Sequence, residues 1–305
     1  MENLSHILSA DMLFMTLRLA IPIGLAAIGG TICERSGIVN LGLEGMMLMG
    51  AFGGVLGSHI TGNPWLGIVF AVFIAGAMGL IHAVLCIHYR TSQTVSGVGI
   101  NILAGGLTVV LTRAVWQVDG RSGAVERIPT VTIPGLSDIP ALGALFTGQS
   151  PYVYLTVAIA VAAWFVFYKT KVGLRLRAIG DHPQAAAAAG VNVKRYRYAA
   201  VITSGMLCGL AGAYLSIVHS NMFINDMVAG RGFMALAANI FGGWNPIGSI
   251  LASIVFAFAQ AMRITLALDI PDQFIQMFPY ILTLLVLIAA GRKARGPEAL
   301  GRMED

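Results

Sequence analysis

Charge is what this chain of 305 residues has least of. Asp, Glu, Lys and Arg make up only 11% of it, against about 25% in a soluble domain. Hydrophobic residues fill 57% and mean hydropathy is +0.79. That balance excludes a soluble enzyme, and the formal net charge of +5 is no sign of nucleic-acid binding. Cysteine is scarce as well. Cys33, Cys86 and Cys208 lie in or beside apolar runs without metal-ligand spacing, as small buried side chains do. No GxxxxGK[ST], HExxH or GxSxG occurs. ATP hydrolysis, metalloprotease chemistry and serine-type hydrolysis therefore lack their minimum residues. No catalytic residue, metal ligand or cofactor is expected. The first eleven residues contain neither Lys nor Arg, so no cleavable signal peptide is expected there.

What the chain has instead is a series of long apolar runs. Spans are expected near 12–33, 41–58, 65–88, 95–117, 152–170, 197–219, 231–244, 247–267 and 273–291. Runs of about 18 or more apolar residues cross a bilayer. The fold class is therefore all-α polytopic membrane protein, with about nine helices (8–10), short or broken elements, and one compact cytoplasmic helix. A single transmembrane domain over 1–305 is expected. Glycine is abundant at 37 residues, and small residues let membrane helices approach closely.

The charges that exist are concentrated. Lys169 to Arg197 holds seven Lys/Arg against one acid, Asp181, and such segments stay in the cytoplasm. Alternation then puts the N-terminus outside and the tail 292–305 inside. Thirteen of nineteen Lys/Arg fall inside and eight of fourteen acids outside. The largest outer segment, 118–151, is rich in Gly and Pro and reads as a cap over the outer mouth. Within the island, 171–197, Asp181 is expected to cap a helix, with Pro183 in its first turn. A run of Gln and Ala favours helix, and Gly190 supplies the left-handed exit. The short helix is expected over Asp181–Val193, and its exposed position suits contact with a soluble partner.

Polar residues inside apolar runs mark the other candidates. Ile32–Phe52 (ICERSGIVNLGLEGMMLMGAF) interrupts two spans. Broken backbone at membrane depth is tolerated where it lines protein or a water path. Glu34 and Arg35 read either as anchors of a tight turn or as lining. Asn40 and the deeper Glu44 read as packed hydrogen-bonding or path-lining groups. Asn101 is the better pore-facing candidate of its span, because Thr108 can bond its own backbone. Ala229–Ser249 contains a helix of about a dozen residues, too short to span and so a half-helix or re-entrant element. Phe233, Asn239 and Trp244 sit on it as packing residues or substrate contacts. The six histidines receive no function.

Three of these motifs together resemble the membrane subunits of bacterial ABC importers that take up ribose-type sugars and nucleosides. GLRLRAIGDHPQAAAAAGVNV resembles their cytoplasmic coupling segment. ERSGIVNLGLEGMM and GRGFMALAANIFGGWNPIG are similar to the nucleoside-type members, which work with a basic-membrane-protein-like lipoprotein. In sugar-type members a G-I-D-L-S-V-G stretch stands where Asn40 stands here. The resemblance implies a permease in the bacterial plasma membrane without an ATPase site of its own. It implies an ABC ATPase, a second permease subunit (a paralogue or another copy) and an extracytoplasmic substrate-binding protein as partners. It places ATPase coupling on Asp181, Pro183, Ala186, Ala187, Gly190, Val191, Asn192 and Val193. The substrate path is expected along Asn40, Glu44, Asn101, Phe233, Asn239 and Trp244, the polar or aromatic groups on broken or Gly-rich spans. An ion-coupled secondary transporter is the alternative. Its relay would need buried ionisable groups, and the spans offer few: Arg18, Glu44, Arg113 and Arg263. A structural scaffold fits the composition but leaves the broken elements unexplained.

Overall fold

The computed structural model describes residues 10–129, 150–266 and 296–301. The expected span 273–291, residues 1–9, most of the outer segment 118–151 and most of the tail lie outside the described residues. Among the described residues there are ten α-helices, and the only extended pairing is an isolated bridge between Arg121 and Ile224. In chain order they are α1 (Ala10–Glu34), α2 (Leu43–Thr61), α3 (Pro64–Ala83), α4 (Gln93–Trp116) and α5 (Pro151–Lys169). Then follow α6 (Lys171–Asp181), α7 (Pro183–Ala188), α8 (Val193–Ala213), α9 (Arg231–Phe241) and α10 (Pro246–Leu266). Two helices end in wider π turns, α3 at Val84–His88 and α8 at Tyr214–Ser220. The chain is a multi-pass helical membrane protein. Among the described residues, five helices are long and apolar enough to cross a bilayer: Met12–Glu34, Pro64–His88, Gln93–Trp116, Pro151–Lys169 and Val193–Ser220.

Several helix starts follow from two letters each. Pro in the first turn has no N–H to leave unpaired, and a polar residue just before it can accept from the amides that remain. Asn63 accepts from Trp65 N ahead of Pro64, and Ser150 from Tyr152 N ahead of Pro151. Asn245 Oδ1 accepts from Ile247 N across Pro246.

The bundle is built around α8. It lies between α2 and α3, and glycines set the spacing. A Cβ on Gly212 would sit 2.1 Å from the Met47 carbonyl, and one on Gly209 would sit 2.5 Å from the Ala71 carbonyl. Backbone therefore touches backbone along this seam, which is how helices associate when lipid removes the hydrophobic drive between them. Helix α2 is almost wholly buried, so its glycines face protein rather than lipid. Helix α1 packs against α8 and α10, and a Cβ on Gly24 would meet Ile250 and Ser253 at 2.9 and 3.0 Å. Helices α4 and α5 sit at the edge, with most of each surface exposed.

At the end of the bundle away from α6 and α7, the strand-like stretches after α4 and α8 pair. Ser122 N donates to Phe223 O at 2.9 Å, and Asn225 N to Gly120 O at 2.9 Å. Phe223 is fully buried, edge-on to Phe52, while Phe52 also meets Trp116 edge-on. The described part of the segment 118–151 thus lies against the stretch that follows α8.

Replacing Gly212 with Val is expected to force α2 and α8 apart and cost about 1–3 kcal/mol. The measurement is the thermal midpoint of the purified protein in detergent. Gly106→Ala, on α4 where a Cβ meets nothing within 4 Å, is expected to leave that midpoint unchanged or slightly raised.

Candidate functional site

The chain between α1 and α2, residues 35–42, leaves the helical state inside the bundle. Backbone groups buried there need internal partners. Helices α3, α4 and α8 provide several of them. Val39 N donates to Gln93 Oε1 at 2.7 Å, and Val39 O accepts from His82 Nε2 at 3.1 Å. A carbonyl only accepts, so Nε2 of His82 carries a proton there. With the ring neutral, its Nδ1 accepts from the Ser96 hydroxyl at 2.8 Å. Asn101 Nδ2 donates to Leu41 O at 2.9 Å, and its Oδ1 accepts from Gly45 N at 2.8 Å. Asn40 Oδ1 accepts from Gly42 N at 3.0 Å, while its Nδ2 donates to Ser204 Oγ at 3.1 Å. Arg197 Nε donates to Ser36 O at 3.1 Å.

The residues flanking this break grip the half-helix α9 at both ends. At its N-terminus the Glu44 carboxylate accepts from Gly230 N at 2.7 Å and from Gly232 N at 2.6 Å. At its C-terminal end Glu34 Oε2 accepts from Asn239 Nδ2 at 2.7 Å and from Trp244 Nε1 at 2.5 Å. Arg35 Nε donates to Trp244 O at 2.8 Å, and Arg35 Nη2 to Gly243 O at 3.2 Å. An anion thus meets the positive end of the helix dipole, and a cation meets carbonyls at the negative end. Thr31 Oγ1 donates to Asn239 Oδ1 at 2.8 Å, which turns the amide nitrogen towards Glu34. The approach at the first end is close. A Cβ on Gly232 would lie 2.5 Å from Glu44 Cα.

The six expected path residues therefore gather around one break and one half-helix. Asn40 and Asn239 are fully buried and Trp244 nearly so. Glu44 and Asn101 are half-buried. Their polar atoms hold backbone groups or the side chains of Glu34, Thr31 and Ser204. Phe233 alone of the six is exposed, at 43%. Thr108, by contrast, bonds its own helix at Ala104 O. Among the described residues no three His, Cys, Asp or Glu side chains lie close enough to hold a metal ion. The arrangement is a mechanical one, a short helix held by charged side chains.

The expected coupling residues form an elbow at the end of the bundle that carries α6 and α7. One part of the expectation needs correction. Asp181 is the last residue of α6, and His182 is the N-cap of α7, with no side-chain cap bond. The cause is Pro183, which drives the residue before it out of the α region. His182 is accordingly extended, with φ −138° and ψ 82°. The helix itself is also shorter than Asp181–Val193, at Pro183–Ala188. Asn192 belongs to the next element, where it caps α8 by accepting from Arg195 N at 3.1 Å, and Val193 opens α8. The exit at Gly190 matches the expectation. Its φ is +80°, and Val191 N donates to Ala186 O while Gly190 N donates to Ala187 O. That pair of bonds is a Schellman closure. Ala186 faces the protein, whereas Ala185 and Ala187 to Gly190 are exposed.

Residues 12–289 match the model of a family described as the permease component of a branched-chain amino acid transport system. The chain belongs to this permease family. The permease is 41% identical to the guanosine ABC transporter permease protein NupQ of Bacillus subtilis, over 94% of this chain and 93% of that protein. It is 39% identical to the nucleoside ABC transporter permease protein NupC of Lactococcus lactis, over 98% and 96%. It is 33% identical to a putative glucose ABC transporter permease protein, TsgC13, of Haloferax volcanii, over 92% and 91%. A more distant relative at 23%, the guanosine ABC transporter permease protein NupP of Bacillus subtilis, is the longer protein, matched over 89% of this chain and 79% of itself.

Sequence reasoning missed several members of the permease's site. Glu34 and Arg35 stood there as possible turn anchors, and His82, Gln93, Ser204 and Arg197 went unused. The signal for His82 was available, since an ionisable residue inside a span is functional or structural by default. Glu44→Ala would leave two N–H groups of α9 without an acceptor, and the expected cost is about 1–3 kcal/mol. The readout is again the thermal midpoint in detergent. Arg113→Ala, in the exposed Arg113–Asp119 pair, is expected to leave it unchanged.

Proposed function

We propose that this permease subunit of an ABC importer moves a nucleoside across the bacterial plasma membrane. The observation that supports the substrate class is near full-length identity, at 41% and 39%, to two permeases named for guanosine and for nucleosides. The family description names branched-chain amino acids, and the relative named for glucose is more distant. The two relatives named for guanosine and nucleosides outweigh the family description, because such a description covers many branches.

The chain has no phosphate-binding loop, so ATP hydrolysis falls to a partner ATPase docked on the α6–α7 elbow. The exposed alanines of α7 form a narrow, smooth ridge suited to a groove. A second permease subunit completes the path. A paralogue is favoured over a second copy, because NupQ and the longer NupP of one organism both bear the name of guanosine permease. An extracytoplasmic binding protein delivers the nucleoside. On this reading 1–305 is one transmembrane domain with its N-terminus outside and the island 171–197 inside. The path runs beside α9, with Phe233 offering a ring face and Asn40, Glu44, Asn101, Asn239 and Trp244 shaping the wall behind it. The ion-coupled alternative is not favoured, because Glu44 is occupied in holding α9.

Uptake into vesicles holding the whole complex is expected to require ATP and to survive proton uncouplers, with a labelled nucleoside competing better than glucose or leucine. ATP-independent uptake would overturn the assignment. Ala187→Arg or Gly190→Val is expected to leave the permease inserted while the ATPase no longer co-purifies. The second change places a branched side chain at φ +80°, where only glycine is at ease. Labelling of a single cysteine at position 3 from the outer face alone would check the orientation.

A further inference from the structure

The turn Gly296–Gly301 touches three parts of the molecule that sequence separates widely. Ala299 N donates to Gly180 O, in the last turn of α6, at 2.9 Å. Gly301 N donates to Gly37 O, in the break between α1 and α2, at 3.2 Å. Gly296 lies against the Trp244 ring beyond α9, where an added Cβ would be 2.9 Å from Cη2. Glu298 faces His182 of the elbow at 3.7 Å. Beneath the turn, α6 presses directly on the break. A Cβ on Gly180 would come 2.3 Å from the Arg35 carbonyl and 3.3 Å from Pro297 Cβ. Arg35 then reaches the carbonyls of Gly243 and Trp244.

We propose that Gly296–Gly301 and Arg35 are positioning residues for transport, a strut that makes the elbow and the C-terminal end of α9 move together. The proposal rests on the reading of the elbow as the ATPase dock. Its mechanical basis is the kind of contact involved. Gly180 against Arg35, Ala299 to Gly180 and Gly301 to Gly37 are backbone contacts with no side chain between them. A displacement of α6 therefore has no rotamer in which to be lost. Arg35 carries the displacement to Gly243 and Trp244 through the two donors of a planar guanidinium fork. The other end of α9 is held by Glu44 on α2. A helix of 11 residues spans about 16 Å, so a push at one end and an anchor at the other tilt α9. The tilt pivots beside Phe233, turning its ring, and displaces the C-terminal end of α9 most. The bond from Glu34 to the Trp244 indole keeps that residue from sliding past Arg35.

The test uses the complete complex in vesicles and reads three quantities: ATPase retained, uptake rate, and ATP hydrolysed per substrate moved. Ala299→Pro removes the N–H that holds Gly180. It is expected to keep the ATPase bound, lower uptake at least tenfold, and raise the ATP consumed per substrate severalfold. Arg35→Gln, which keeps a polar side chain but loses the fork, is expected to uncouple in the same direction, and Arg35→Lys to fall between. A purely structural role would lower the amount of assembled complex without changing the ATP-to-substrate ratio. Normal uptake and a normal ratio in both Ala299→Pro and Arg35→Gln would overturn the strut. So would loss of the ATPase from Ala299→Pro alongside full coupling in Arg35→Gln. Ala187→Arg measured in parallel separates the two ideas. An ATPase still bound in that variant rejects the dock, whereas normal coupling in the strut variants rejects only the strut.

Discussion

Non-helical backbone buried between helices must find an internal partner for each polar group it frees, and much of this permease is arranged around that demand. The break at 35–42 draws side chains from α1, α3, α4 and α8: the Cys33 thiol on Ile38 O, His82 and Gln93 on Val39, Asn101 on Leu41 and Arg197 on Ser36. Because these groups come from four helices, satisfying the break also fixes how those helices sit. The two carboxylates beside it, Glu34 and Glu44, then hold α9. Each acid has backbone or side-chain N–H donors around it, which is the condition under which a buried carboxylate is tolerated.

The same arrangement gives α9 and the elbow a common support. Glu44 and Arg35 stand on opposite sides of one short break and reach opposite ends of one short helix. A change in the break therefore acts on α9 at two points, with opposite charges. The elbow lies against that break through Gly180. In a fold with a long flexible linker at this place, motion of α7 would dissipate. Here α6 follows directly on α5, and Asn192 caps α8 two residues after Gly190.

Much of this was legible from residues near one another in the chain. The starts at Asn63-Pro64, Ser150-Pro151 and Asn245-Pro246, the left-handed exit at Gly190 and the brevity of α9 all follow from local rules. The cap at Asp181 did not, because Asp181 and His182 compete for one role and the rule that decides is the restriction Pro183 imposes on its neighbour. Lys171–Asp181 is itself a helix that the apolar pattern of the spans did not announce. The clamps on α9 were out of reach for a different reason. Glu34 and Trp244 stand about two hundred residues apart, and no periodicity relates them. Asn40 and Asn101 looked like path residues because polarity in a span is costly. Polarity alone does not distinguish a group that faces a lumen from one that faces a backbone carbonyl.

The seam where α8 meets α2 and α3 has a consequence for how the molecule yields under load. At Gly209 and Gly212 peptide groups rest on peptide groups, and such a contact has no torsions with which to absorb stress. Compliance must then reside elsewhere, in joints made of hydrogen bonds, which bend and exchange at low cost. Helix α9 has one joint of each kind: backbone against backbone where Gly232 meets Glu44, and side-chain hydrogen bonds from Glu34 and Arg35 at its other end. The permease thus pairs a stiff spine with a short lever whose softer joint is its C-terminal one.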